Sequence, residues 1–219
     1  MVPSDVDAIV FDLYGTLLDV DGLAATVAAS VGTADGLVPL WRAKQLEYAF
    51  IRSLTGDYAD FRTVTGDALD YACARLGQPL SAGARARLID GWDRLPPFPE
   101  VPAALDALSV RPLAILSNGS PAMLERALAE SGLRDRFAVV LSADLVQRFK
   151  PDPAVYALVP GHLGIPAERL LFVSANGFDV AGAARFGLRV ARVDRAGLPL
   201  DGLGVTPEVT VRSLEELAR

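Results

Sequence analysis

A carboxylate that could act as a nucleophile stands near the start of the chain. Asp12 follows the apolar run 8–11 and precedes a glycine-containing turn and the hydroxyl of Thr16. This order predicts a buried strand that carries Asp12 to the edge of a sheet. A carboxylate held there can attack an electrophilic centre and form a covalent intermediate. Thr16 is placed to hydrogen-bond that carboxylate or a developing oxyanion.

Three further polar clusters each follow a predicted strand or precede a predicted helix. Their members with useful chemistry are Ser117, Asn118, Gly119, Lys150, Ser174, Asn176 and Asp179. Ligands bind at the carboxyl ends of parallel strands, so we expect these groups to share one site with Asp12. A cation at Lys150 would favour an ionised carboxylate nearby, although the spacing alone favours an exposed lysine in a proline-flanked turn. Asp179 also fits the N-cap of the helix that follows it.

Two more candidates lie on predicted helices. Arg42 shares a helix face with Gln45, Leu46 and Ala49, at spacings of three, four and seven residues. One guanidinium on a partly apolar face suits a small anion in a dry pocket, but the pattern alone favours a solvated arginine. Tyr156 lies about one turn into its helix and fits this site and a core position equally well.

Strands that alternate with helices position these groups. Apolar or β-branched runs predict strands at 8–11, 113–116, 137–141, 170–173, 189–193 and 208–211, with helices after Ser120-Pro121, after Asp152-Pro153 and over 179–186. Such alternation indicates a parallel sheet of the α/β class. Residues 19–95 predict only helices, at 39–54, 60–76 and 81–94, with Pro39 at the first helical position. We therefore expect an α/β core domain (1–18 and 96–219) and an inserted helical cap domain (19–95).

The composition limits the possible partners. The 219 residues are 51% hydrophobic and 22% charged, so a sizeable core can form. The net charge of −6 and the lack of a basic run argue against nucleic-acid binding. No apolar segment is long enough to span a bilayer, and the first residues lack the pattern of a signal peptide. Cys73 is the single cysteine, so a reducing, cytoplasmic location is expected.

These motifs together resemble the L-2-haloacid dehalogenase branch of the haloacid dehalogenase (HAD) superfamily. The resemblance covers nearly the whole chain, including the stretch 40–48 on a cap helix. It implies a Rossmann-like parallel-sheet core with an inserted helical cap. Phosphatases of the superfamily carry acids where this chain has Tyr14 and Ser174. Tyrosine protonates a leaving oxygen poorly and serine removes a carboxylate ligand for Mg²⁺, so we expect neither metal nor cofactor.

The resemblance also implies a role for each candidate. Asp12 would displace halide from a short L-2-haloacid, with inversion at C2, and water would hydrolyse the aspartyl ester to release a D-2-hydroxy acid. Arg42 would bind the departing halide, and the loop at Ser117 the substrate carboxylate. The implied catalytic residues are Asp12, Thr16, Arg42, Lys150, Ser174, Asn176 and Asp179. The implied substrate-binding residues are Leu13, Tyr14, Arg42, Leu46, Phe61, Ser117, Asn118, Tyr156 and Phe178.

Three alternatives stay open. Metal-free hydrolases that open small cyclic amino acids resemble the same branch, and the sequence separates the two poorly. A magnesium phosphatase and a non-catalytic binding protein are disfavoured, the first by the missing acids and the second by the complete polar set. The resemblance further implies a homodimer, with a small halogenated acid and a halide ion as the ligands.

Overall fold

A parallel sheet forms the centre of the molecule. A computed structural model of the chain describes residues 2–32 and 35–219. The strands are β1 (Ala8–Phe11), β2 (Leu113–Ser117), β3 (Val139–Ser142), β4 (Leu170–Ser174), β5 (Arg189–Val193) and β6 (Val209–Val211). They run parallel in the order β3-β2-β1-β4-β5-β6. This arrangement confirms the predicted α/β fold class.

The first strand occupies the middle of this sheet. Val10 pairs with Ala114 of β2 on one side and with Phe172 of β4 on the other. All three strands are buried along their whole length, as expected for apolar runs in a parallel sheet. The strand order reverses direction between β1 and β4, which places a crevice at their carboxyl ends. Asp12 directly follows β1 and therefore lies at this crevice.

The elements described between β1 and the proline-rich stretch that begins at 96 are helices. They are α1 (Leu23–Val31), α2 (Leu37–Thr55), α3 (Phe61–Arg75) and α4 (Ala82–Gly91), with 3-10 turns at Val20–Gly22 and Trp92–Arg94. The segment that leads into these helices and the segment that leads out of them are adjacent. Asp19 N donates to Pro96 O (2.8 Å), and Phe98 N donates to Leu17 O (3.0 Å). Helix α1 was not predicted. Pro39 is the third residue of α2 and not the first, a position that still lies in the turn without N–H partners.

The remaining helices flank the sheet. They are α5 (Val101–Leu108), α6 (Pro121–Glu130), α7 (Pro153–Tyr156), α8 (Leu158–Leu163), α9 (Gly177–Phe186) and α10 (Leu214–Ala218). The sequence predicted neither α5 nor α10. Strand β3 begins two residues later than predicted, because the N–H of Phe137 donates back to Arg134 O (3.4 Å). None of the helices in the described ranges is long and apolar enough to cross a membrane.

The bounds of α9 correct one expectation. This helix begins at Gly177, and Asn176 occupies its N-cap position. Asp179 is thus the third helical residue, so its interpretation as the N-cap was wrong. A residue at that position projects from the first turn, and here its side chain points inward and is fully buried.

Candidate active site

The carboxylate of Asp12 is held by three side chains from three separate segments. Its Oδ1 accepts a hydrogen bond from Lys150 Nζ (2.8 Å). Its Oδ2 accepts two, from Thr16 Oγ1 (2.9 Å) and from Asn176 Nδ2 (2.9 Å). Only 5% of Asp12 is exposed, so these contacts fix its orientation. The two oxygens differ, since Oδ1 has one donor and Oδ2 has two.

Lys150 lies between two carboxylates. Its Nζ donates to Asp12 Oδ1, to Asp179 Oδ2 (2.7 Å) and to the carbonyl oxygen of Leu116 (3.0 Å), which uses all three N–H groups. Burial works to lower the pKa of Lys150, but Asp12 and Asp179 outweigh it and the pKa is raised. The ammonium therefore stays charged and draws the two acids together. Its backbone N–H donates to Asn118 Oδ1 (2.8 Å), which fixes the loop that carries it.

Asp179 is the second carboxylate of the site. Its Oδ1 accepts from Tyr156 Oη (2.7 Å), and its Oδ2 accepts from Ser174 Oγ (3.1 Å) as well as from Lys150. Burial raises the pKa of Asp179 to about 6, although Lys150 works in the opposite direction. Burial and the neighbouring Asp179 also hold the pKa of Tyr156 well above its ordinary value. Asp179 can thus exchange a proton close to neutral pH, as a general base must.

The turn from β4 to α9 joins these groups to the loop after β1. Ser174 Oγ accepts from the N–H of Asn176 (3.1 Å). Thr16 Oγ1 accepts from the N–H of Ala175 (3.0 Å) while it donates to Asp12. The hydroxyl of Thr16 therefore links both loops and aligns Asp12 with Asn176.

The loop after β2 lies against the ring of Tyr14. Ser117 is fully buried, and its Oγ accepts from the N–H of Gly119 (3.2 Å). A Cβ on Gly119 would lie 2.7 Å from Leu124 Cδ2 and 3.0 Å from Tyr14 Cε2, so only glycine fits there. Ser120 occupies the N-cap position and Pro121 the first position of α6, as predicted. The loop thus reaches the crevice next to the start of a helix, where anions bind readily.

Arg42 extends from α2 over the loop after β1. Its Nη1 donates to Gln45 Oε1 (2.6 Å) and its Nη2 to the carbonyl oxygen of Tyr14 (3.4 Å). The guanidinium lies 5.6 Å from the ring centroid of Trp92. Burial lowers the pKa of Arg42, but a guanidinium remains charged in proteins. Both hydrogen-bond acceptors are neutral, and within the described residues no carboxylate forms a direct ion pair with Arg42, although the charges of Asp12 and Asp179 act on it across the site.

A cavity of about 460 Å³ opens beside this guanidinium. Gly15 and Asn176 line one part of it, and Arg42 and Ala43 line another. Asp12 itself does not line this cavity, but its partner Asn176 does, and the volume is large enough for a small organic acid.

The predicted apolar residues divide into two groups. Tyr14 and Phe61 are buried with ring centroids 6.3 Å apart, and Leu13 is fully buried in the core. Leu46 is half-buried on α2. Phe178 is half-buried and packs against Phe50, with 5.0 Å between ring centroids. The structure thus brings Tyr14 and Phe61 together, while Phe178 packs against Phe50 of α2.

Several residues at the site received no role from the sequence. Arg195 Nη2 donates to the carbonyl oxygen of Thr16 (3.0 Å) and pairs with Glu100. Trp92 lies beneath Arg42, and Gln45 holds its guanidinium. Gln45 carried a usable signal, because its spacing already put it on the same helix face as Arg42. Nothing local in the sequence marks Arg195 or Trp92.

Comparison with known proteins identifies the family. Residues 6–187 match the family model described as a haloacid dehalogenase-like hydrolase. The chain belongs to this family. An (S)-2-haloacid dehalogenase from Pseudomonas sp. (strain YL) is 43% identical over 212 residues, which cover 95% of this chain and 91% of that protein. One from Xanthobacter autotrophicus is 46% identical over 191 residues, which cover 87% of this chain and 76% of the relative.

Solved structures show the same similarity. The L-2-haloacid dehalogenase of Xanthobacter autotrophicus with chloropropionic acid covalently bound superimposes with a TM-score of 0.91 at 39% identity, covering 97% of each chain. These matches confirm the resemblance inferred from the motifs and the Rossmann-like HAD fold.

Proposed function

We propose that this hydrolase cleaves the carbon–halogen bond of short L-2-haloacids and releases D-2-hydroxy acids. The observation that carries the proposal is the carboxylate of Asp12, held by Lys150, Thr16 and Asn176, in electrostatic reach of an arginine whose own hydrogen-bond acceptors are neutral. An oriented carboxylate supplies the nucleophile, and a cationic group supplies the site for the leaving anion. The covalent chloropropionic acid in the similar Xanthobacter structure supports an enzyme-bound ester.

In the first step, Oδ1 of Asp12 attacks C2 of the haloacid. This oxygen accepts a single hydrogen bond, so it has a lone pair available for the new C–O bond. The C–X bond breaks with both electrons going to halide, which leaves toward Arg42. Backside displacement inverts C2, and the loop with Ser117 and Asn118 binds the substrate carboxylate.

In the second step, water attacks the carboxyl carbon of the Asp12 ester. Asp179 accepts one proton of the water, and Ser174 and Asn176 help to position it. The ester carbonyl oxygen is Oδ2, whose negative charge the donors Thr16 and Asn176 stabilise. Collapse of the intermediate breaks the bond between the Asp12 carbonyl carbon and Oδ1, so C2 keeps its inverted configuration. The departing alkoxide takes the proton from Asp179 and leaves as the hydroxy acid, and the second proton of the water is lost to solvent as Asp12 returns to its carboxylate form.

We propose that both steps proceed without a metal ion. The Lys150 ammonium already pairs with both Asp12 and Asp179, so the negative charge of these two carboxylates is balanced in part by a side chain. Within residues 2–32 and 35–219, no group of three or more His, Cys, Asp or Glu side chains could hold a metal ion. The positive charge that a metal would supply there comes from the chain itself.

Halide release from L-2-chloropropionate in excess EDTA tests this function. We expect chloride and D-lactate in equal amounts from the L enantiomer and none from the D enantiomer. A folded protein that releases no chloride would refute the proposal. EDTA-sensitive turnover of a generic phosphomonoester would instead favour a magnesium phosphatase. Assays with a substrate panel that includes small cyclic amino acids distinguish a dehalogenase from the ring-opening alternative.

We propose a core domain of residues 1–18 and 96–219 and a cap domain of residues 19–95. The adjacent hydrogen bonds between Leu17 and Phe98 and between Asp19 and Pro96 support this division. The chain passes from one proposed domain to the other at 18–19 and back at 95–96, and these two segments are neighbours. The catalytic groups would come from the core, apart from Arg42, which the cap would contribute.

We further propose a cytoplasmic homodimer. Exposed apolar side chains on α2, Ile51 (47% exposed) and Leu54 (87% exposed), are compatible with a partner on this face. The single cysteine supports a reducing compartment. Sedimentation equilibrium tests the dimer, and cell fractionation tests the location.

A further inference from the structure

Two buried polar residues lie where α2 packs against α3. Gln45 and Thr65 are both fully buried, whereas most of the other buried positions on the two helices hold apolar side chains. Burying an amide and a hydroxyl is unfavourable unless every polar atom finds a partner. Their presence at this interface therefore calls for a reason other than packing.

The two residues form a chain of hydrogen bonds that ends at Arg42. The hydroxyl of Thr65 donates to the carbonyl oxygen of Phe61 (2.6 Å) and accepts from Gln45 Nε2 (2.6 Å). Gln45 Oε1 then accepts from Arg42 Nη1 (2.6 Å). Because Thr65 takes the amide nitrogen of Gln45, the amide oxygen must face Arg42. The order of donors and acceptors along Phe61, Thr65 and Gln45 thus fixes the orientation of the Arg42 guanidinium.

The residue that orients Arg42 is uncharged, which matters if the guanidinium is to bind an anion. Gln45 orients Arg42 with a neutral oxygen, and the second acceptor, Tyr14 O, is also neutral. A carboxylate in place of Gln45 would hold the guanidinium as firmly but would cancel its charge. The charge of Arg42 therefore remains directed toward the site, where halide departs.

We propose that Gln45 and Thr65 are positioning residues that orient Arg42 for the departing halide through a neutral hydrogen bond, without adding a carboxylate beside the guanidinium. The inference rests on the proposed function, since it assigns a purpose to Arg42 in carbon–halogen cleavage. Neither residue touches the reacting atoms, and both act through the guanidinium.

The hydroxyl of Thr65 provides a matched pair of variants. Thr65→Val keeps the shape but leaves the amide of Gln45 without its acceptor, so the amide can rotate away from Arg42. We expect the single-turnover rate of chloride release to fall about tenfold, because an oriented charged hydrogen bond is lost. The dissociation constant for bromide, measured by quenching of tryptophan fluorescence, should rise by a similar factor. Thr65→Ser keeps the hydroxyl and should retain most of both properties.

A second variant tests the charge. Gln45→Glu keeps the size and the acceptor but places a negative charge beside Arg42. Bromide should therefore bind more weakly to Gln45→Glu than to Thr65→Val. Glu47→Gln, on the exposed face of the same helix, is the control for charge changes on α2.

Three results would overturn the inference. They are wild-type bromide affinity in both Thr65→Val and Gln45→Glu, a wild-type rate of chloride release in both, or equal impairment of Thr65→Ser and Thr65→Val. The last result would assign the effect to packing. No chloride release by the unmodified chain would refute the proposed function itself, whereas bromide binding can still be compared among the variants.

Discussion

Lys150 Nζ lies 2.8 Å from Asp12 Oδ1, although the two residues are 138 positions apart in the chain. Asp12 follows the central strand β1, and Lys150 comes from the loop before α7. The same ammonium contacts Asp179 at 2.7 Å, so one buried cation connects the proposed nucleophile with the proposed base. An ion pair this deeply buried needs additional hydrogen bonds to be stable, and Thr16, Asn176, Ser174 and Tyr156 supply them.

Replacement of Asp12 tests the nucleophile. Asp12→Asn should lower turnover of L-2-chloropropionate by more than about 1,000-fold, because an amide is a poor nucleophile. Lys150 would keep Asp179 and Leu116 O as partners, so the melting temperature should change little. Chloride release and calorimetry measure the two properties. Turnover that persists in this variant would show that another group forms the bond to C2.

Replacement of Asp179 should separate the two chemical steps. In Asp179→Asn, Asp12 can still displace halide, but no base remains to activate water. We therefore expect a burst of about one chloride per active site, followed by a slow phase, with the ester detected by intact-protein mass spectrometry. Asp106→Asn, in an exposed ion pair on α5, is the control. Steady release without a burst would contradict the assignment of Asp179 as the base.

The pH dependence should follow Asp179. Its carboxylate must be unprotonated to accept a proton and its pKa is raised to about 6, so kcat should fall as the pH drops through about 6. Tyr156→Phe removes a donor that stabilises the ionised carboxylate, which should raise the pKa and move the acid limb to higher pH. Profiles of kcat for both proteins measure the shift. Superimposable profiles would refute the role of Tyr156 in tuning Asp179.

The close contact at Gly119 predicts a loss of both stability and activity. In Gly119→Ala, the added Cβ would push against Leu124 and Tyr14, which should cost about 1–3 kcal/mol of unfolding free energy. Displacement of the Tyr14 ring should also lower the rate of halide release. Denaturant unfolding gives the free energy. Gly161→Ala is the matched control, because its Cβ would meet nothing within 4 Å inside α8. A tolerated Gly119→Ala would show that the loop adapts.

Much of this architecture was predictable because its signals are local. Apolar runs marked the buried strands, and Ser120-Pro121 and Asp152-Pro153 marked the starts of α6 and α7. Helices α1, α5 and α10 were not predicted. They are short, at nine, eight and five residues, and short helices depend on tertiary contacts more than on their own sequence.

The sequence by itself determined the fold class, the strand ends and the set of polar residues, since these depend on periodicity over a few neighbouring positions. Only the tertiary structure decided how the set is connected. It placed Lys150 between Asp12 and Asp179, and it brought the hydroxyl of Tyr156 into a hydrogen bond with Asp179. It also packed Phe178 against Phe50 and joined Gln45 to Thr65 by a hydrogen bond. Such contacts join residues from separate elements, and the packing of those elements fixes them. For this reason the motif at Asp12 pointed to a nucleophile, while the support of Arg42 became visible only in the folded chain.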